Sequence, residues 1–261
     1  MNKKLSLKNS SGFTVHVFFI DMVSLSDTSI SLFDQQQEKI KILLDIIKKS
    51  KQYRHTFVDA TSTTGDGVVL CFQNDIRLPL DLAIEVNRQL RKYNKNKPET
   101  KKINVRIGIS SGTIFKTRSI GGRQNYWGPA LIYAQRIMSC GTSEHILLDE
   151  IAEQLADLEG KYKKSIHYLG ETKIKHGRIK KIYSAYGKDF GNKNTPENII
   201  IELQRSDEGT GRIIYESLLK NRKETYMELL KNMKLRYINV HGTKFVQPAK
   251  KNTKKRGKKI E

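Results

Sequence analysis

Two hydrophobic rhythms, one of period two and one near 3.6, alternate along this chain. Phe13 to Val23 ("FTVHVFFIDMV") alternates and then runs apolar, enriched in Val, Phe and Ile, which predicts a central strand ending at Asp21. In "SLFDQQQEKIKILLDIIKKSKQY", Ile40, Leu43, Leu44 and Ile47 recur at helical spacing, and the lysines come late, where the helix dipole favours them. The stretch "HTFVDATSTTGDGVVLCF" reads as two short strands joined around Gly65 to Gly67. A second amphipathic helix is predicted from Leu78 to Tyr93, with Leu82, Ile84, Val86 and Leu90 toward the core and Pro79 in its first turn. "INVRIGISSGTIFK" then alternates Val105, Ile107 and Ile109 against Arg106 and Ser110, a further strand. Strand, helix, hairpin, helix, strand predicts an α+β domain of the ferredoxin-like, split βαβ kind, one sheet with helices packed on a face.

After a glycine-rich loop, "RSIGGRQNYWG", Leu131, Ala134, Ile137 and Met138 mark a helix from Pro129 to Cys140 that carries Arg136. A strand ("HILLD"), a short helix ("EIAEQLADL") and two more strands ("IHYLGETKI", "KKIYSAY") follow. Past Gly187 the composition changes to that of a linker, "GKDFGNKNTPEN", and then to helical patterning without chemical cues, "GRIIYESLLKNRKETYMELLKNMKL". The expected division is an N-terminal tail, 1–12; the main domain, 13–187; a linker and small helical appendage, 188–248; and a disordered basic tail, 249–261.

Charge changes this picture little. The net charge of +21 favours polyanionic partners, but much of the excess lies in "AKKNTKKRGKKIE", a block without an apolar anchor, so nucleic acid is not the favoured ligand. No apolar run approaches the roughly 20 residues of a membrane helix. No secretory leader is legible, and Cys71 and Cys140 lie apart without metal-ligand neighbours, so a reducing cytoplasmic setting is expected.

The residues that suggest chemistry are acids at strand ends. Asp21 follows "VHVFFI", where an unpaired buried acid is costly. Asp66 sits between Gly65 and Gly67, which let backbone approach a phosphate-bearing ligand. If their strands are neighbours, the two carboxylates meet and suit a hard divalent cation. Read by itself, "GDG" is more often the turn of a hairpin with an exposed Asp; the alternatives for the others are Asp21 as the N-cap of a nearby turn and Arg136 as a surface ion-pair residue.

Taken in order, "FFIDMVS", "TTGDGVVLCF", "VRIGISSG", "YWGPALIYAQRI", "HILLDEIAEQL" and "LGETKIKHG" resemble the class III nucleotidyl cyclases over Thr14 to Tyr186. The resemblance implies the cyclase catalytic-domain fold and a homodimer with composite active sites. It further implies two divalent cations, Mn²⁺ or Mg²⁺, held by Asp21, Asp66 and the backbone carbonyl of Met22. Arg136 matches the arginine that stabilises charge on a nucleoside triphosphate substrate, with Gly65 and Gly67 making room for its phosphates; Arg106, opposite to its apolar neighbours on the strand, is either a nucleotide-pocket residue or a surface arginine. Ser62 and Asn125 stand where adenylyl cyclases carry their adenine-reading lysine and aspartate, and Ile132 stands where the family has a transition-state asparagine.

"AQRIM", "EHILL" and "KHG" are similar to the Pycsar cyclases of bacterial antiphage defence. That likeness implies conversion of UTP or CTP to the cyclic nucleotide, which acts on a separate cyclic-nucleotide-responsive effector. An adenylyl cyclase with an atypical base pocket is the alternative, as is an inactive cyclase fold that binds nucleotide or, through the basic tail, RNA.

Overall fold

The computed structural model describes residues 12–23, 33–59, 67–118, 122, 124–158, 160–174, 178–196, 199, 235–240 and 243–248. In chain order these form β1 (Phe13–Met22), α1 (Phe33–Lys49), β2 (Val58–Asp59), β3 (Val68–Phe72), α2 (Leu78–Asn94), β4 (Val105–Arg118), β5 (Gln124–Trp127) and α3 (Pro129–Cys140). Then come β6 (Ile146–Leu148), α4 (Ile151–Leu158), α5 (Gly160–Lys163), β7 (Ile166–Ile174), β8 (Arg178–Ala185), β9 (Leu235–Val240) and β10 (Thr243–Pro248). Short 3₁₀ turns at Tyr53–His55 and Glu99–Lys101 precede β2 and β4.

The main sheet runs β2-β3-β1-β4-β6-β8-β7, with β5 added to the far end of β4. All pairings are antiparallel except β4 with β6. The first six major elements follow the split βαβ order expected from the sequence.

Successive residues of β1 divide between two cores, because side chains alternate across a strand. Phe18, Ile20 and Met22 join Leu43 and Ile47 of α1 and Leu82, Val86 and Leu90 of α2 in the larger core. Val15, Val17 and Phe19 meet Ala130, Ala134 and Met138 of α3 in the smaller one. Helices therefore cover both faces at β1, not one face alone. A strand covered on both faces reads as the continuous apolar run seen here.

Gly108 explains how close α3 comes to the sheet. A Cβ at this position would lie 2.2 Å from the Ala134 carbonyl oxygen and 2.7 Å from the Met138 backbone nitrogen, so helix and strand meet backbone to backbone. β5 departs from the glycine-rich loop expected there. Its residues pair with the extended end of β4 (Phe115↔Trp127, Lys116↔Tyr126), and the Phe115 and Trp127 rings lie 6.4 Å apart. Ser110, expected on the polar side of β4, is fully buried.

Residues 187–196, expected to be a linker, fold back onto the domain. Phe190 and Pro196 are buried, Arg88 forms an ion pair with Asp189 at 2.7 Å, and Arg91 donates to the Gly191 carbonyl at 2.8 Å. Gly191 has φ +68°, and a Cβ there would meet the Ala185 carbonyl at 2.2 Å. His145 fastens the same segment: the Thr142 N–H donates to Nδ1 at 3.0 Å, which leaves Nε2–H to donate to the Asn194 carbonyl at 2.6 Å. Replacing His145 with Ala should cost about 1–3 kcal/mol by stranding these groups. It should also speed amide exchange over 187–196 before the rest of the domain; unchanged exchange there would show that His145 is not the fastener.

The predicted helical run 211–235 lies outside the described residues, apart from Leu235. What is described beyond it is a two-stranded antiparallel ribbon, β9 with β10, an element the expectation of a purely helical appendage did not include. Among the described residues no helix is long and apolar enough to cross a membrane.

Candidate active site

Asp21 is placed by the pleat of β1. Ile20 and Met22 point into the larger core, so Asp21 projects from the opposite face at the strand end, beyond the last contacts of the smaller core. Directly across the β1–β4 ladder stands Arg106. Its Nη2 and Nε donate to Asp21 Oδ2 at 2.8 and 3.1 Å, with the carboxylate 15% and the guanidinium side chain 31% exposed. The sequence pattern singles out each of the two residues but not their pairing, which depends on the β1–β4 register.

On the other side of β1 the antiparallel register ends at Ile20↔Val68. Gly67, buried, is the next residue back along that strand, so this described segment begins alongside the Asp21 end of β1. The expected neighbourhood of the two strands is present. Asp66, Gly65 and Ser62 themselves lie outside the described residues. Met22 is buried beside Asp21 and pairs with Val105.

Arg136 is half-buried on α3, which packs across β4 and β1, and Ile132 lies one turn earlier on the same helical face. Asn125 pairs with Thr117 at the outer end of β4, and its Oδ1 accepts the N–H of Tyr126 at 2.8 Å. This bond turns its carbonyl oxygen back on its own backbone.

The carboxylate donor fits a divalent cation. Mg²⁺ and Mn²⁺ sites at triphosphates need only one or two protein carboxylates, the rest being phosphate and water oxygens. A set of three or more His, Cys, Asp or Glu side chains able to hold a metal is absent among the described residues. Asp21 supplies a hard oxygen at a strand end, and its present counter-charge is Arg106.

A second buried acid serves structure. Ser110 Oγ donates to Asp149 Oδ2 at 2.5 Å and the Ile151 N–H donates to Oδ1 at 3.1 Å, so Asp149 caps the start of α4. Burial outweighs these bonds and pushes its pKa above the ordinary carboxylate value. The folded chain then holds this proton more tightly than the unfolded chain. The associated stability is complete below about pH 4 and is lost as pH rises through the raised folded value. Asp149→Asn should flatten this decline in melts compared across pH 4 to 7, and identical slopes in the two proteins would contradict it.

The fold has solved counterparts. A cyclase/hydrolase from Silicibacter pomeroyi is similar at TM-score 0.54 and 20% identity, over 68% of this chain and 99% of that one. The adenylyl cyclase CyaB from P. aeruginosa is similar at 0.51 and 18%, over 69% and 98%. An adenylate cyclase from Trypanosoma brucei is similar at 0.51 and 16%, over 70% and 94%. These likenesses establish a shared fold. No curated protein matches the chain. Residues 8–187 match the adenylate and guanylate cyclase catalytic domain, well over half the chain, and the protein belongs to that family.

Proposed function

We propose that the protein is a pyrimidine nucleotide cyclase that converts UTP, or CTP, to its 3′,5′-cyclic nucleotide and pyrophosphate. The observation that carries a catalytic reading is Asp21, held at the end of the central strand beside Gly67 and opposite Arg106. In this reading Asp21, Asp66 and the Met22 carbonyl hold two divalent cations, Mn²⁺ or Mg²⁺. When bound, these supply charge neutralisation of the triphosphate and ease ionisation of the ribose 3′-hydroxyl.

The chain's own residues do the rest. Arg106 leaves Asp21 for the triphosphate, and Arg136, contributed by the second subunit of a homodimer, meets negative charge developing at the α-phosphate. The 3′-oxygen bonds to the α-phosphorus as the bond to the bridging oxygen breaks, and pyrophosphate departs. Ser62 and Asn125, in place of adenine-reading Lys and Asp, support a pyrimidine substrate. The likeness to antiphage cyclases supports a role as signal generator for a separate effector in the cytoplasm.

Ile132 favours a second reading, an inactive cyclase fold that binds nucleotide, because an aliphatic side chain has no hydrogen bond to offer at the asparagine position. Incubation of the full chain with each of four NTPs and Mn²⁺ separates the two. A cyclic pyrimidine product is expected; cyclic AMP alone, or no product, overturns the proposal.

A further inference from the structure

Three lysines, Lys164, Lys188 and Lys193, surround an open depression of about 680 Å³ where the start of β7, the end of β8 and residues 187–194 converge. Among the described residues none of these three lysines has an acidic partner. The acid lining the depression, Glu144, is already engaged by Arg91 at 2.6 Å. Three unneutralised ammonium groups around one opening repel one another, and an anion bound between them relieves that repulsion.

The same wall presents aromatic surface. The rings of His167 and Tyr186 stack at 3.8 Å with 14° between their planes, and both line the depression. Burial lowers the His167 pKa, which keeps the imidazole a neutral aromatic face rather than a fourth cation. The volume falls within the roughly 300–1,000 Å³ typical of small-ligand pockets. The depression lies at the same end of the sheet as Asp21 but displaced across it: β8 is three strand spacings from β1, about 14 Å.

We infer that this depression is a second binding site, for a nucleoside phosphate whose phosphates sit among Lys164, Lys188 and Lys193 and whose base lies against the His167–Tyr186 stack. Ammonium groups attract phosphate, and aromatic rings stack on nucleobases. A confined depression, unlike an extended basic track, suits a free nucleotide better than a strand of nucleic acid.

The test uses the full chain in EDTA, so that metal-dependent triphosphate binding at Asp21 does not contribute. Calorimetry with ADP should show binding that Asp21→Ala leaves unchanged and that the triple variant Lys164→Glu, Lys188→Glu, Lys193→Glu weakens at least tenfold with no change in thermal melting. His167→Ala should weaken ADP but retain tripolyphosphate binding, which also shows that this variant is folded. The inference fails if ADP does not bind in EDTA or if charge reversal has no effect. It fails equally if tripolyphosphate binds as tightly as ADP, or if a single-stranded RNA oligonucleotide binds more than tenfold tighter than ADP.

Discussion

Asp21→Ala is expected to lower cyclase turnover by about a thousandfold or more. Loss of a ligand to catalytic cations removes several kcal/mol of transition-state stabilisation, and each 1.36 kcal/mol is about a factor of ten. The same change leaves Arg106 without its present partner. Because the pair is partly open to water, the stability cost should be modest, about 1 kcal/mol. The double variant Asp21→Ala, Arg106→Ala removes both charges and should recover most of that stability while staying inactive. Urea melts and single-turnover assays on the three proteins separate the roles: activity restored by the double variant would mean that Asp21 serves only to balance Arg106.

The second large effect is predicted at a residue with no side chain. Gly108→Ala places a methyl group against the Ala134 carbonyl and the Met138 backbone, where no flexible side-chain end is available to yield. Helix α3 must be displaced from the sheet, at a cost near the upper end for overpacking, about 3 kcal/mol. For a domain of this size that corresponds to a fall in Tm of roughly 6 to 12 °C. Activity should fall further than stability explains, since α3 carries Arg136. Gly160→Ala is the internal contrast: a Cβ there meets nothing within 4 Å, and the residue begins the short helix α5, so its effect should be neutral or slightly stabilising. Equal destabilisation by the two changes would argue against a close-packing role for Gly108.

The regular elements were legible because each has a one-dimensional signature. Helix α3 runs from Pro129 to Cys140 as its apolar spacing predicts, and β1 ends one residue beyond Asp21. Features that depend on long-range partners were not legible. Ser110 reads as polar surface until Asp149, far along the chain, is brought over it. "GKDFGNKN" has the composition of a linker, yet Asn87, Arg88, Arg91 and His145 satisfy its backbone and side chains from other elements. β5 is hidden because its strand character comes from the extended end of β4, not from its own four residues. At the candidate site, the residue types were readable from motifs. The alignment of Asp21 with Arg106 required the sheet register.

The pairing of β1 with β4 has a kinetic consequence. Asp21 and Arg106 are 85 residues apart in sequence, and the intervening chain includes two helices and the β2–β3 hairpin. Closing so long a loop is entropically unfavourable until those intervening elements shorten it, and non-local strand pairings form slowly. Antiparallel β7 and β8, which follow one another closely in sequence, need no such help. During refolding, hairpin signals should therefore appear early, while the acid-arginine pair, and any activity that depends on it, should recover only with the slowest phase of the domain.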